Sequence, residues 1–554
     1  RLISRQFIIR HKLKFAENVA CYSDLAFIVP AMAHLKEAAV LEGCFYYRRV
    51  RNDPISNPSL IQQDQELRIK DFLTVFNTLK DTYNTPFEVT NYLDERFINF
   101  YQRTILSFLR DGSKIDKWFD PLSSAARKLA SSRPAKERFI VRREIAHLIN
   151  GRKNKFARLI NWHHKLRVVR KALKSKQNFY IQLYRSVFLR LPLNNKTIVF
   201  ESFFGKNYAC NPRYIYEYML ANNMDYKYVW SFKEPGKKIP GNPKQVKRFS
   251  VAYYYYLATS KYWVSNSRLP KHLDKREGNI YLQTWHGTPL KKLVFDMNDI
   301  HSADPNYKKS VYQQSRRWDY LLSANPYSTE IFRRAFKYEK PVLEFGYPRN
   351  DILYIKNKEE MATAIKQKLG IPQDKKVILY APTWRDNEFY ERGKYKFSLR
   401  LDLRKMKEML GEDHVILLRM HYFIADHIDT TGFHNFAYNV SDYDDVAELY
   451  LISDILITDY SSVFFDYANL RRPILFYTYD LDDYRDTLRG FYLDVEQKVP
   501  GPLLKTTEEI IEAVRRIEDV KANYQSKYDT FYNTFCCWDD GKAAENIVKR
   551  VFNE

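Results

Sequence analysis

The stretch Lys196–Phe232, KTIVFESFFGKNYACNPRYIYEYMLANNMDYKYVWSF, decides the fold of this chain. It opens with an apolar run at Thr197–Phe200 and crosses a loop of small and polar residues at Glu201–Arg213. A helical pattern then leads to a second apolar run at Tyr228–Phe232. Strand, loop, helix and strand in that order make a βαβ unit, whose strands lie parallel. The texture repeats downstream. Tyr262–Ser265, Ile280–Thr284 and Tyr320–Ser323 read as further strands. A second series begins near Gly346 with Val377–Ala381, Val415–Arg419, Ile455–Thr458 and Ile474–Tyr477.

Two such series predict two consecutive Rossmann-type domains, at 196–345 and 346–554, in an α/β, GT-B-like arrangement. The ligand of such a pair is expected in the cleft between the domains, outside the carboxyl ends of the strands. Upstream, residues 61–195 read as mostly helical, with apolar residues at helical spacing through Leu67–Leu79 and Phe97–Leu109. The chain starts with Arg rather than Met and no signal-peptide pattern follows, so an original N-terminal part is expected to be missing.

Charge is concentrated in one place. With 90 Lys and Arg against 66 Asp and Glu, the 554-residue chain carries a net charge of +24. Gly151–Arg190 holds twelve of the cations and no acid, so under a tenth of the chain supplies half of the excess. Leu159, Ile160, Trp162, Leu166, Val169, Leu173, Phe179 and Leu183 recur there at spacings of three or four, an amphipathic basic helix pattern. A solvated linker or a nucleic-acid contact would share this composition. No nucleic-acid motif accompanies it, which weakens that reading; docking on an anionic membrane surface, at about 1 kcal/mol per Lys or Arg, is the sharper one, and charge alone does not choose between it and a linker.

The remaining composition, 45% hydrophobic and 28% charged, excludes a disordered chain. No apolar run approaches the length of a membrane span, and the greasiest short one, Phe27–Ala33, contains a proline. Five cysteines (Cys21, Cys44, Cys210, Cys536, Cys537) without CxxC or Cys/His spacing argue against a disulfide framework and against zinc.

Three motifs follow strand ends. In QTWHGTPL (Gln283–Leu290) His286 precedes Gly287, which permits close backbone approach, and Pro289, which suits the first position of a helix that could hold an anion. A histidine there can take a proton from an attacking hydroxyl near neutral pH. In LLRMHY (Leu417–Tyr422) Arg419 and His421 offer a guanidinium fork and a ring donor to a pyrophosphate. In ITDYSSVFFDY (Ile457–Tyr467) Ser461 and Ser462 open a helix, and Asp466 lies on the same face as Ser462, where it could accept from a ligand hydroxyl. FGYPRND (Phe345–Asp351) and YAPTWRD (Tyr380–Asp386) are supporting loops. Singly, each motif is an ordinary turn or cap. No metal-ligand spacing occurs near them, and a diphosphate can be balanced by His, Arg and helix N-termini alone.

WHGTPLKKL, FGYPRND, YAPTWRD, LLRMHY, ITDYSSVFFDYA and LRGFYLD, in this order over about Lys196–Ala544, resemble the CDP-glycerol glycerophosphotransferase family. The resemblance implies transfer of glycerol phosphate from CDP-glycerol to the terminal hydroxyl of a lipid-linked poly(glycerol phosphate) chain, with release of CMP, in teichoic acid biosynthesis at the cytoplasmic membrane face. No cofactor is implied. His286 becomes the base on the acceptor hydroxyl and His421 the stabiliser of the pyrophosphate. Trp285, Gly287, Thr288, Pro289, Arg349, Pro382, Thr383, Arg419, Ser461, Ser462 and Asp466 would line the CDP-glycerol site. Phe15–Phe27 and Gly43–Arg51 resemble the end of a GT-A type glycosyltransferase domain, so residues 1–60 are expected to be its remnant. A GT-B glycosyltransferase using a nucleotide sugar is the alternative, since fold and cleft would be shared.

Overall fold

Runs such as KVILYA and HVILL are buried along nearly their whole length, as strands sandwiched between helices must be, and they build two wholly parallel sheets. The computed structural model describes residues 3–37, 64–82, 86–129, 139–297, 306–383, 399–420, 430–481 and 490–552. It also describes residues 53, 55 and 58 and the backbone of 389–391 and 394–395. The chain divides into two compact units, Arg1–Gln182 and Leu183–Glu554.

The second unit carries both sheets. The first comprises β1 (Asn194–Glu201), β2 (Lys227–Phe232), β3 (Lys244–Lys247), β4 (Ser260–Ser265), β5 (Ile280–Gln283), β6 (Tyr320–Ser323) and β7 (Val342–Glu344), in the spatial order 3-2-1-4-5-6-7. The second comprises β8 (Lys376–Ala381), β11 (His414–Leu418), β12 (Ala437–Asn439), β13 (Ile455–Thr458), β14 (Ile474–Tyr477) and β15 (Leu503–Leu504), in the order 12-11-8-13-14-15. Between β8 and β11 lies a small antiparallel hairpin of β9 (Phe389–Glu391) and β10 (Lys394–Tyr395). Each large sheet reverses its winding once, between β1 and β4 and between β8 and β13. Those switch points open crevices at the strand carboxyl ends.

All nine expected strands form, within one or a few residues of their expected bounds. The strands that the sequence reading missed in the two large sheets are β3, β7, β12 and β15. They lie at or beside sheet edges, and each is short or polar; in β3, KQVK, only Val246 is buried. The last helix, Ala543–Val551, leaves the second sheet and packs Ile547, Val548 and Val551 into the first sheet's core beside Ile198, Phe200 and Trp230.

In the first unit the helices Gln65–Thr82, Phe87–Phe100, Gly112–Arg127 and Phe139–Ile149 bury Phe72, Phe76, Leu93, Phe97, Leu122 and Ile145 in one core. Leu25 and Val29, on the helix Ser23–Ala33, belong to the same core. The basic segment forms helices Lys153–Ala172 and Lys176–Ser186. Its expected single stripe divides in two. Ile160 joins Phe156 in the core, whereas Trp162, Val169 and Leu173 remain 51%, 53% and 79% exposed along a separate line, spaced by two turns and then one. Among the described residues no helix is long and apolar enough to cross a membrane.

Candidate active site

The end of β5 delivers the histidine. Gln283 Oε1 accepts the amide of Trp285 at 3.0 Å, and Trp285 adopts a left-handed φ of 51°, so the chain turns sharply as it leaves the sheet. His286 follows with an exposed ring. Trp285 stacks on that ring at 4.8 Å between centroids, and Phe203, from the loop after β1, meets it edge-on at 6.1 Å. His286 Nδ1 lies 2.8 Å from the carbonyl oxygen of Asn266. A carbonyl only accepts, so Nδ1 carries the proton and Nε2 keeps its lone pair. The protein walls around the ring withdraw it from bulk water although its surface is reachable. That desolvation, added to by Arg349 and Arg268 and opposed by the Asn266 hydrogen bond, pushes the pKa down to about 4. The imidazole is neutral at pH 7, the form a general base requires.

The helix expected to begin at Pro289 does not form. Leu290–Lys292 runs instead beside Gly490–Tyr492: Lys291 bridges Phe491, Lys292 N–H donates to Gly490 O (3.1 Å) and Tyr492 N–H donates to Leu290 O (2.8 Å). A partner segment satisfies the backbone that a helix would otherwise have to satisfy itself, so no helix N-terminus faces His286 from this side. Thr288 is buried, and the Pro289 carbonyl accepts from Tyr327 Oη at 3.0 Å.

Arg349, at the start of the 3-10 turn Pro348–Tyr354, ties this loop to the second sheet. Nη1 donates to the His286 carbonyl (2.7 Å) and Nη2 to Asp466 Oδ2 (2.6 Å), while its amide donates to Asn211 Oδ1 (3.2 Å). Burial opposes the guanidinium's charge, but Asp466 together with Cys210, Tyr450 and Tyr347 outweighs it and holds the pKa well above the usual arginine value. Asp466 also accepts from Asn350 Nδ2 at 3.3 Å and is only 4% exposed. Its carboxylate is thus engaged within the protein rather than presented to a ligand.

The helix expected after the serines does form. Ser462 caps the short helix Val463–Tyr467 without a side-chain hydrogen bond, and Ser461 precedes it, both half-buried. Gly287 lies directly against it: a Cβ there would stand 2.8 Å from Ser462 Oγ. Two strand-end loops from different sheets, after β5 and β13, meet at this point. Asp459, at the end of β13, accepts the Thr383 amide at 2.7 Å and so holds Pro382–Thr383 beside the serines. Arg419 Nη1 donates to the carbonyls of Val440, Ser441 and Tyr443, pinning the turn after β12. His421 lies outside the described residues, as do Tyr422 and the Trp384–Asp386 part of the YAPTWRD loop.

Several residues of the site escaped the sequence reading. Asn266 follows β4 directly, and Asn211 donates from Nδ2 to the carbonyls of Thr284 and Trp285 at 3.1 and 3.3 Å. Asp539 accepts the Tyr347 amide and Asn350 Nδ2, each at 2.8 Å. Desolvation pushes its carboxyl up to about 7. The available signal for Asn266 was its place immediately after a correctly expected strand.

Residues 183–553 match the family model described as CDP-Glycerol:Poly(glycerophosphate) glycerophosphotransferase. The teichoic acid poly(glycerol phosphate) polymerase of Staphylococcus epidermidis is 40% identical over 99% of this chain and 77% of its own length. The polymerase of the same name from Bacillus subtilis strain 168 is 48% identical over 69% of this chain; the match spans 52% of that relative's length. A solved variant of the wall teichoic acid polymerase TagF, soaked with CDPG, is 46% identical with a TM-score of 0.67, covering 71% of this chain and 97% of that one. With its two parallel sheets and a match over two thirds of its length, the chain belongs to the CDP-glycerol:poly(glycerophosphate) glycerophosphotransferase family.

Proposed function

We propose that this chain transfers glycerol phosphate from CDP-glycerol to the terminal hydroxyl of a lipid-linked poly(glycerol phosphate) chain and releases CMP, in the synthesis of teichoic acid. The observation that carries the reading is His286: a neutral, exposed imidazole with its tautomer fixed by the Asn266 carbonyl, at the carboxyl end of the first sheet. In this reading Nε2 removes the proton of the acceptor hydroxyl as its oxygen attacks the glycerol-bearing phosphorus. The phosphoanhydride P–O bond breaks, CMP departs with the bond's electron pair, and a phosphodiester remains on the acceptor. His421 and Arg419 are assigned to the pyrophosphate, and Pro382, Thr383, Ser461 and Ser462 to the donor. Trp285, Gly287, Thr288 and Pro289 shape the wall beside His286, and the Arg349–Asp466 pair holds that wall in place.

The acceptor is lipid-linked in this proposal, so the enzyme must work at a membrane surface. The exposed line Trp162, Val169 and Leu173, set among the cations of Gly151–Arg190, is the contact we assign to an anionic cytoplasmic leaflet. Residues 1–60 are proposed as the closing segment of a GT-A-like domain, on the resemblance of Phe15–Phe27 and Gly43–Arg51 alone. Incubation with CDP-glycerol and a glycerol phosphate primer should yield CMP, and His286→Ala should lower that release by about 10²–10⁴-fold. Turnover of UDP-sugars with no CMP from CDP-glycerol would overturn the reading.

A further inference from the structure

We infer that Asn266 is the positioning residue of this site, a buried clamp that locks the loop after β1 in a strained conformation and thereby sets the tautomer and orientation of His286. The inference rests on the reading of His286 as the base.

Asn266 is completely buried and works with both halves of its structure. Its carbonyl takes the His286 Nδ1 proton at 2.8 Å. Its side chain reaches across to the neighbouring strand end: Oδ1 accepts the Phe203 amide at 2.8 Å and Nδ2 donates to Ser202 Oγ at 3.2 Å. Ser267 extends the clamp, since its Oγ accepts the Phe204 amide at 3.1 Å and donates to Asn266 Oδ1 at 3.3 Å. The clamped segment has left-handed backbone at three successive residues, Phe203 (φ 44°), Phe204 (φ 57°) and Gly205 (φ 77°). Two adjacent phenylalanines in that region are strained and persist only where the surroundings hold them. Side-chain acceptors aimed at both of their N–H groups supply that hold.

The strain has a visible product. In this conformation Phe203 presents its ring edge to His286 while Trp285 stacks on the ring, so the imidazole is fixed between two aromatic groups and one carbonyl. Releasing the loop frees Phe203 and loosens the peptide at Asn266 whose carbonyl defines the tautomer. A histidine protonated on Nε2 has no lone pair there for the acceptor proton. The donor residues belong to other loops, so the loss is expected in turnover rather than in donor binding.

The test uses the full chain with ¹⁵N-labelled histidine. Asn266→Ala should lower kcat for CMP release by about 10–100-fold, in line with the cost of a small misplacement of a reacting group. The KM for CDP-glycerol should stay within about twofold, and the Nδ1–H signal of His286, assigned with His286→Gln, should weaken or vanish. Adding Phe204→Gly, which makes the left-handed backbone inexpensive, should return several-fold of the lost kcat. Ser267→Ala removes the acceptor for Phe204 and one donor to Asn266 Oδ1 but leaves the Asn266 side chain in place. It is the milder variant should Asn266→Ala not fold, and is expected to lower kcat a few-fold at constant donor KM, again recovered by Phe204→Gly. An unchanged kcat, a donor KM that moves in step with it, or an intact His286 tautomer in the folded variant overturns the inference. If the unaltered chain releases no CMP, the functional reading fails, while the tautomer measurement still decides the role of Asn266.

Discussion

Arg349 offers the most severe test of how the two sheets are joined. Arg349 is 5% exposed and its Asp466 partner 4%, with the two charged groups 2.6 Å apart. Arg349→Met keeps much of the volume and removes the charge, which leaves Asp466 buried with only Asn350 at 3.3 Å among its described side-chain donors. Removing one member of a buried pair costs about 3–5 kcal/mol, because the remaining charge is uncompensated. The lost charged hydrogen bond to the His286 carbonyl is worth about 1.5–3 kcal/mol and overlaps with that figure rather than adding to it. Against a typical domain stability of about 5–15 kcal/mol the variant should fold, with its urea midpoint clearly reduced. Adding Asp466→Asn removes the orphaned charge and should restore about 2 kcal/mol. CMP release should stay about 100-fold low in both variants, since the wall that carries His286 still lacks its donor. Urea unfolding followed by tryptophan fluorescence, read beside CMP release, separates the two effects. A loss below about 1 kcal/mol in Arg349→Met, or full recovery of turnover by Asp466→Asn, would refute this account.

Gly287→Ala places a methyl group 2.8 Å from Ser462 Oγ, so about 1–3 kcal/mol of overpacking and a marked fall in turnover are expected. Ser462→Ala in the same chain should relieve the clash, because the Ser462 Cβ stands at an ordinary 3.5 Å from where that methyl would lie. The His286 pKa lies near 4, below its unfolded value, so the base stays deprotonated as pH falls until about 5. The acidic limb of kcat/KM should therefore lie below about pH 5, and a His286-dependent limb near the ordinary histidine value of about 6.5 would contradict that. Replacing Trp162, Val169 and Leu173 with serine should reduce sedimentation with anionic liposomes, as should neutralising Lys165, Arg167, Arg170 and Lys171. CMP release on a soluble primer should be preserved in both; unchanged liposome binding would dismiss the membrane contact.

Much of this molecule was legible in the chain because its central strands are buried on both faces. β8 and β11 are apolar along almost their entire length and betray themselves whatever surrounds them. Edge strands such as β3 and β15 carry no such mark, since half their neighbours are solvent or loop. His286 and the serine pair were singled out for a related reason: ligands of parallel sheets sit beyond strand ends, and the strand ends were legible.

What the sequence could not reveal is which side chains face each other. Asp466 has the right chemistry and helical phase to meet a ligand, yet it meets Arg349, a buried cation brought to it from another loop. Pro289 has the grammar of a helix start, yet Gly490–Tyr492 supplies backbone partners from about 200 residues away, and local preference yields. Asn266 carried no signal beyond its place after an expected strand; its importance comes from two loops it joins, after β1 and β5. Composition, period and motif order thus determine the fold class, the family and the strand ends from which function is built, since these depend on each residue's own burial preference. The pairing of charges, the tautomer of His286 and the division of the basic helix into a core face and an exposed face were decided only in the tertiary structure, because each depends on contacts between residues far apart in the chain.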